Sequence, residues 1–264
     1  DLAHDPLTLA ELASRNLGSE VLQKVLREIM NKTQFSVGHA ALAALQCPVY
    51  ITTNYDCLFE HAWKEMYPKT TELIVVTKDA GLLTKEYKQA YSQGNSVLFK
   101  IHGSADRLDE YLILTRSDYR VHYRTNEKFF ELIKELMSKR HTIFVGFSHR
   151  DPEVSRLVED AIYGYEKVKT EEREKTRVTG KRKDDRPQFY SLQFGMRSHT
   201  PEIFAARGIV ALQPPSVSTA IEQLQDKALT VALVDLLGAR QFNFHSKVSL
   251  DAALRDTIDR ISSD

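Results

Sequence analysis

The sequence predicts an α/β fold: a doubly wound, mostly parallel sheet with additional helices. Three observations predict it. Short runs rich in β-branched and aromatic residues, over 49–52, 97–101 and 142–145, show no polar alternation, which fits strands covered on both faces. Segments with apolar residues at helical spacing stand between them. Polar or glycine residues follow directly after three of the strands, where an open α/β sheet presents its ligand site.

Taken in order, Asp5-Pro6 is a cap followed by proline at the first helical position, so residues 7–16 read as a helix ended before Gly18. Val21, Leu22, Val25, Leu26, Ile29 and Met30 give 19–30 one apolar face, which needs a partner surface. An alanine-rich helix is expected over 36–46, stopping ahead of Pro48. Strand 49–52, helix 58–66, strand 73–76, helix 85–91, strand 97–101 and a further strand over 112–115 follow. Phe129, Phe130, Leu132, Ile133, Leu136 and Met137 mark 127–139 as an amphipathic helix, with Asn126 as its expected N-cap. Strand 142–145, helix 152–163, strand 189–192, helix 201–206 and strand 209–212 complete the alternation. Two helices, over 219–237 and 250–261, are expected to close the chain.

Composition narrows the function. Among 264 residues, Lys plus Arg equals Asp plus Glu at 36 each. That balance leaves no footprint for nucleic acid or an anionic membrane surface, and no apolar run approaches the roughly 18 residues of a span. The two cysteines, Cys47 and Cys57, can build neither a disulfide framework nor a four-cysteine zinc site, and such sparse use suits a reducing cytoplasm. His39, His122, His141 and His149 match no compact zinc spacing, so no metal is expected. The opening DLAHDPLTLAEL carries no signal-peptide pattern and no methionine, and the native N-terminus is expected to lie upstream. Residues 166–186, with nine basic and six acidic side chains, read as a charged surface insertion rather than core or a nucleic-acid arm.

Chemistry is sought at the strand ends. Thr53-Asn54-Tyr55-Asp56 follows the first strand, His102-Gly103-Ser104 the strand over 97–101, and Gly146-Phe147-Ser148 the strand over 142–145. Each alone has an ordinary reading: Asp56 as a helix cap, His102-Gly103 as a turn, Gly146 as a tight exit from a strand. Their common placement is more specific. Asp151, before Pro152, reads first as a cap, and Tyr111, Tyr119 and Tyr123 as packing near the sheet edge.

The segments ITTNYDCLFEHAW, LFKIHGSADRLDEYLILTRSDY and TIFVGFSHRDPEV resemble the signature regions of the SIR2-like domains of bacterial anti-phage defence proteins, distant relatives of the sirtuins. The resemblance covers residues 36–212 and implies a Rossmann-like fold. It implies Asn54, Asp56 and His102 as catalytic residues, with Thr53, Tyr55, Gly103, Ser104, Gly146, Phe147, Ser148 and Asp151 as binding residues. His102 would act as general base towards water or a ribose hydroxyl, Asn54 would fix ribose and water, and Asp56 would orient that network or offset positive charge. The substrate implied is NAD, split into nicotinamide and ADP-ribose in abortive anti-phage defence. A homo-oligomer released by a phage or accessory-protein trigger is implied with it.

Two departures qualify the resemblance. No cysteine lies between His102 and Gly146, where sirtuins hold a structural zinc, so the zinc module is not expected and deacylation is disfavoured. The family's opening strand and Gly-rich phosphate loop are not legible before residue 36, because Gly18 and Gly38 are single glycines within helical patterns. The expected organisation is an NAD-binding domain over 1–215 lacking that loop, and C-terminal helices over 216–264 that belong to the same domain or begin another. The alternative function is a module that senses NAD or ADP-ribose without turnover.

Overall fold

The computed structural model describes residues 5–69, 72–77, 87, 89, 92–147, 149, 151, 154–164, 189–193 and 199–212. Ser148, the charged segment 166–186, the helices expected over 219–237 and 250–261, and most of that expected over 85–91 lie outside the described residues. The described chain falls into two compact units, one running to Asn126 and one beginning at Glu127.

The first unit opens with α1 (Pro6–Leu17). The Asp5 carboxylate caps it, accepting the Thr8 N–H at 3.0 Å. Gly18, at φ 83°, ends α1 and leads directly into α2 (Ser19–Met30). Alanines allow close approach of α3 (Val37–Ala44) to α4 (Leu58–Met66), where Ala40, Ala41, Ala43 and Ala44 bury with Trp63 and Met66. Strands β1 (Val49–Thr52), β2 (Leu73–Val76) and β3 (Ser96–Lys100) form a parallel sheet in the order β1-β3-β2. The middle strand is flanked on both edges and covered on both faces, and all five of its residues are buried.

Two expectations in this unit are corrected. Residues 112–115 are buried as expected but are not a strand, because other partners occupy their backbone groups. The Gln23 amide closes on Leu112 from both sides, accepting its N–H at 3.0 Å and donating to its carbonyl at 2.8 Å. Ile113 N–H donates to His102 O and Ile113 O accepts the Tyr55 hydroxyl, leaving no ladder to join. Beyond them lies a helix absent from the sequence reading, α5 (Arg116–Thr125). Thr115 and Asp118 start it with reciprocal side-chain-to-backbone bonds, and Asn126, expected to start the next helix, ends this one by donating to His122 O.

The second unit begins with α6 (Glu127–Ser138) and carries a second parallel sheet, β4 (Thr142–Val145), β5 (Phe189–Leu192) and β6 (Val210–Leu212), in that order. A helix over 154–164, α7, buries Val154, Leu157, Val158, Ala161 and Ile162 at helical spacing. The short α8 (Thr200–Ala206) leads back to β6. Both units are thus α/β with parallel strands. Among the described residues no helix is long and apolar enough to cross a membrane.

Candidate functional site

Strands β1 and β3 are parallel neighbours with Thr52 opposite Lys100, so their carboxyl ends leave the sheet at one edge. The pairing continues into the loops. Ile101 N–H donates to Thr52 O at 3.0 Å, and Ala105 N–H to Tyr55 O at 2.8 Å. The structure therefore brings together 53–56 and 102–104, which lie apart in sequence. Thr53 and Tyr55 are half-buried and Asn54 is exposed, its backbone N–H donating to Thr52 Oγ1. Asp56 Oδ1 accepts the Leu58 N–H at 3.0 Å, so its carboxylate does help start α4.

His102 is 2 % exposed. Its Nδ1 lies 3.4 Å from the Tyr119 hydroxyl, with the two rings edge-on at 4.8 Å between centroids, while the Tyr55 ring stands at 6.3 Å. Tyr119 thus packs on the histidine rather than merely near the sheet edge. Tyr111, by contrast, is half exposed, with its hydroxyl 3.4 Å from Ser19 Oγ. His122 backs the same strand end: its Nε2 meets Ile101 O at 2.8 Å and its Nδ1 meets the Asn126 side-chain amide at 3.0 Å. Those partners suit a ring carrying its proton on Nε2. Gly103 needs to be glycine, since φ is +91° and a Cβ would stand 3.2 Å from Tyr111 O.

Two side chains beneath these loops escaped the sequence reading. Lys100 is wholly buried, and its ammonium donates to Tyr55 O at 3.3 Å, Asp56 O at 2.5 Å and Glu60 Oε1 at 2.7 Å. Arg27 reaches from α2 to donate to the carbonyls of Ser104 (3.1 Å), Ala105 (3.0 Å), Arg107 (2.9 Å) and Glu110. Ser104 is 1 % exposed and donates to Asp106 Oδ1 at 2.5 Å. Burial works to raise the Asp106 carboxyl, but hydrogen bonds from Ser104 and Cys57 and the Lys100 charge hold it below the usual carboxylate range. Burial pushes the Cys57 thiol up despite Lys100 nearby, which leaves it a poor nucleophile.

In the second unit, Gly146 turns out of β4 at φ +64° and His149 follows at φ +56°. The His149 ring packs against Phe144, Phe147 and Phe204, with centroids at 5.0, 4.6 and 5.0 Å, and its Nε2 lies 3.1 Å from Ser191 Oγ. Burial, with a smaller contribution from the Arg207 charge, pushes its pKa down to about 4. Asp151 caps α7, accepting the Val154 N–H at 2.9 Å. Ser148 lies outside the described residues.

A cleft of about 610 Å³ lies between α2 and residues 105–111, and its charged lining sets Glu20, Glu28, Asp106 and Glu110 against Lys24 and Arg27, an acidic balance that does not favour a pyrophosphate. Among the described residues, no three His, Cys, Asp or Glu side chains are grouped to hold a metal ion.

The SIR2-like domain family matches residues 48–211, most of the chain. The chain belongs to the SIR2-like domain family. Within it, the chain is similar to proteins named NAD(+) hydrolase ThsA from three bacteria. Identity is 28% to the Enterococcus faecium protein over 59% of this chain, 26% to the Bacillus cereus protein over 76%, and 25% to the Cytobacillus dafuensis protein over 58%. These matches span 32%, 40% and 30% of the relatives' own lengths, so this SIR2-like chain corresponds to well under half of each.

Proposed function

We propose that this SIR2-like chain carries the NAD-cleaving site of an NAD glycohydrolase, which releases nicotinamide and ADP-ribose. The observation that supports it most is the convergence of Asn54 and His102 at adjacent strand ends, in a family whose similar members are named NAD(+) hydrolases. Cleavage of the glycosidic bond develops positive charge at the ribose carbon, and neutral nicotinamide leaves with the bonding electron pair. Water then bonds to that carbon and gives its proton to His102. Asn54 fixes ribose and water, and Asp56 offsets the developing charge. Thr53, Tyr55, Gly103, Ser104, Gly146, Phe147, Ser148 and Asp151 line the nucleotide in this reading, with residues 1–215 as its domain.

The family resemblance extends the proposal to abortive anti-phage defence, in the cytoplasm, by a homo-oligomer that a phage or accessory protein triggers. A chain with only two cysteines is in keeping with a reducing compartment. The test is nicotinamide release from NAD by the full-length protein. His102→Ala should lower turnover by about 10² to 10⁴, the usual worth of a general base, while Asn54→Ala loses turnover and keeps part of the nucleotide affinity. A wild-type protein that binds NAD and releases no nicotinamide would instead establish the sensor reading.

A further inference from the structure

The geometry points to Lys100 as a positioning residue: its buried ammonium, pinned by Glu60, holds the carbonyls of Tyr55 and Asp56 and thereby sets the aim of Asn54. This rests on the NAD-cleaving reading of the site. Burying a lysine is expensive, and a charged pair in a core contributes little net stability compared with apolar residues of similar size. The Lys100 side chain nevertheless has 0% exposure, and that of Glu60 only 18%.

Donor arithmetic explains the choice of residue. An ammonium carries three N–H groups, and three oxygens stand close to it, Glu60 Oε1, one turn into α4, and two successive backbone carbonyls of the loop, with Cys57 Sγ farther off at 3.8 Å. No apolar side chain could grip those carbonyls. Other tethers of the loop hold single points: Ala105 N–H also donates to Tyr55 O from the His102 side, the Tyr55 hydroxyl anchors on Ile113 O, and Asp56 Oδ1 accepts the Leu58 N–H. Lys100 alone among these partners reaches both the 55 and 56 carbonyls. It also ends β3 two residues before His102, so the end of one strand leads to the histidine and supplies the grip on the opposing loop.

The test compares full-length wild type with Lys100→Met/Glu60→Gln, which removes the ammonium without stranding a buried carboxylate. The double variant should fold, and its kcat should fall about 10²-fold, the cost of misplacing a reacting group by an ångström. KM for NAD should move less than about threefold, as expected for an interaction expressed in the transition state. In an Asn54→Ala background the same two substitutions should cost less than about threefold, because what Lys100 aims is gone. Equal losses in both backgrounds overturn the proposal, and so does failure of the double variant to fold, which would make the ammonium a fold determinant only. If the wild type itself releases no nicotinamide, the NAD-cleaving reading fails separately. Hydrogen exchange at residues 54–58 then decides on Lys100: faster exchange in the double variant supports the grip, and unchanged exchange refutes it.

Discussion

The Tyr119 hydroxyl, one turn into α5, lies 3.4 Å from Nδ1 of His102. A bond there orients the imidazole and biases which ring nitrogen carries the proton. Tyr119→Phe keeps the ring contact and deletes the bond. Turnover should fall about 3- to 10-fold with little change in KM. An unchanged rate would show that packing alone holds the histidine.

Gln23 is the second prediction. Its amide bonds both Leu112 backbone groups in a buried setting. Gln23→Leu should cost about 2–4 kcal/mol in urea unfolding, since each buried polar group left without a partner costs about 1–3 kcal/mol. A loss below about 0.5 kcal/mol would mean that the 112–115 segment finds other partners.

Third, Gly103→Ala should destabilise the fold by about 1–3 kcal/mol, from the left-handed backbone and from the 3.2 Å approach to Tyr111 O. Because Gly103 follows His102, turnover should fall by more than the unfolded fraction explains. Thermal unfolding and turnover measured on the same preparation check both parts.

The fourth prediction concerns pH. In the folded state His149 has a pKa lowered from 6.5 to about 4, so the unfolded chain takes up the proton first on acidification. Its contribution is complete above about pH 6.5 and is lost as pH falls towards 4. His149→Asn tolerates the left-handed backbone and removes the titration. Stability of the variant should therefore depend less steeply on pH between 6.5 and 4, and an unchanged slope in denaturant titrations would contradict the assignment.

What the sequence disclosed follows from the kind of signal each element emits. Strands 49–52, 73–76, 142–145 and 189–192 were legible to the residue as short runs dominated by β-branched and aromatic side chains, although Ile51 and Ile143 are exposed rather than covered on both faces. The same signal misled over 112–115, where burial is complete but side chains of Gln23 and Tyr55 replace the neighbouring strand. Helix α5 was hidden because its inward face is Tyr119 and His122, a polar-aromatic stripe that a search for aliphatic spacing passes over. The Thr115-Ser117-Asp118 start could have disclosed it. Asn54 and His102 were legible as polar residues at strand ends. Lys100 was not, because its partner Glu60 lies 40 positions away and a terminal lysine ordinarily marks where a strand reaches solvent.

The grip of α2 on residues 104–112 bears on where this unit can be cut. Family similarity starts at residue 48, yet Arg27 and Gln23 lie upstream of that border and close five backbone carbonyls and one amide beyond His102. A version trimmed to the homologous border would keep every residue proposed to meet NAD and discard the clasp that shapes the chain beside His102. The working perimeter of this unit is wider than its recognisable one.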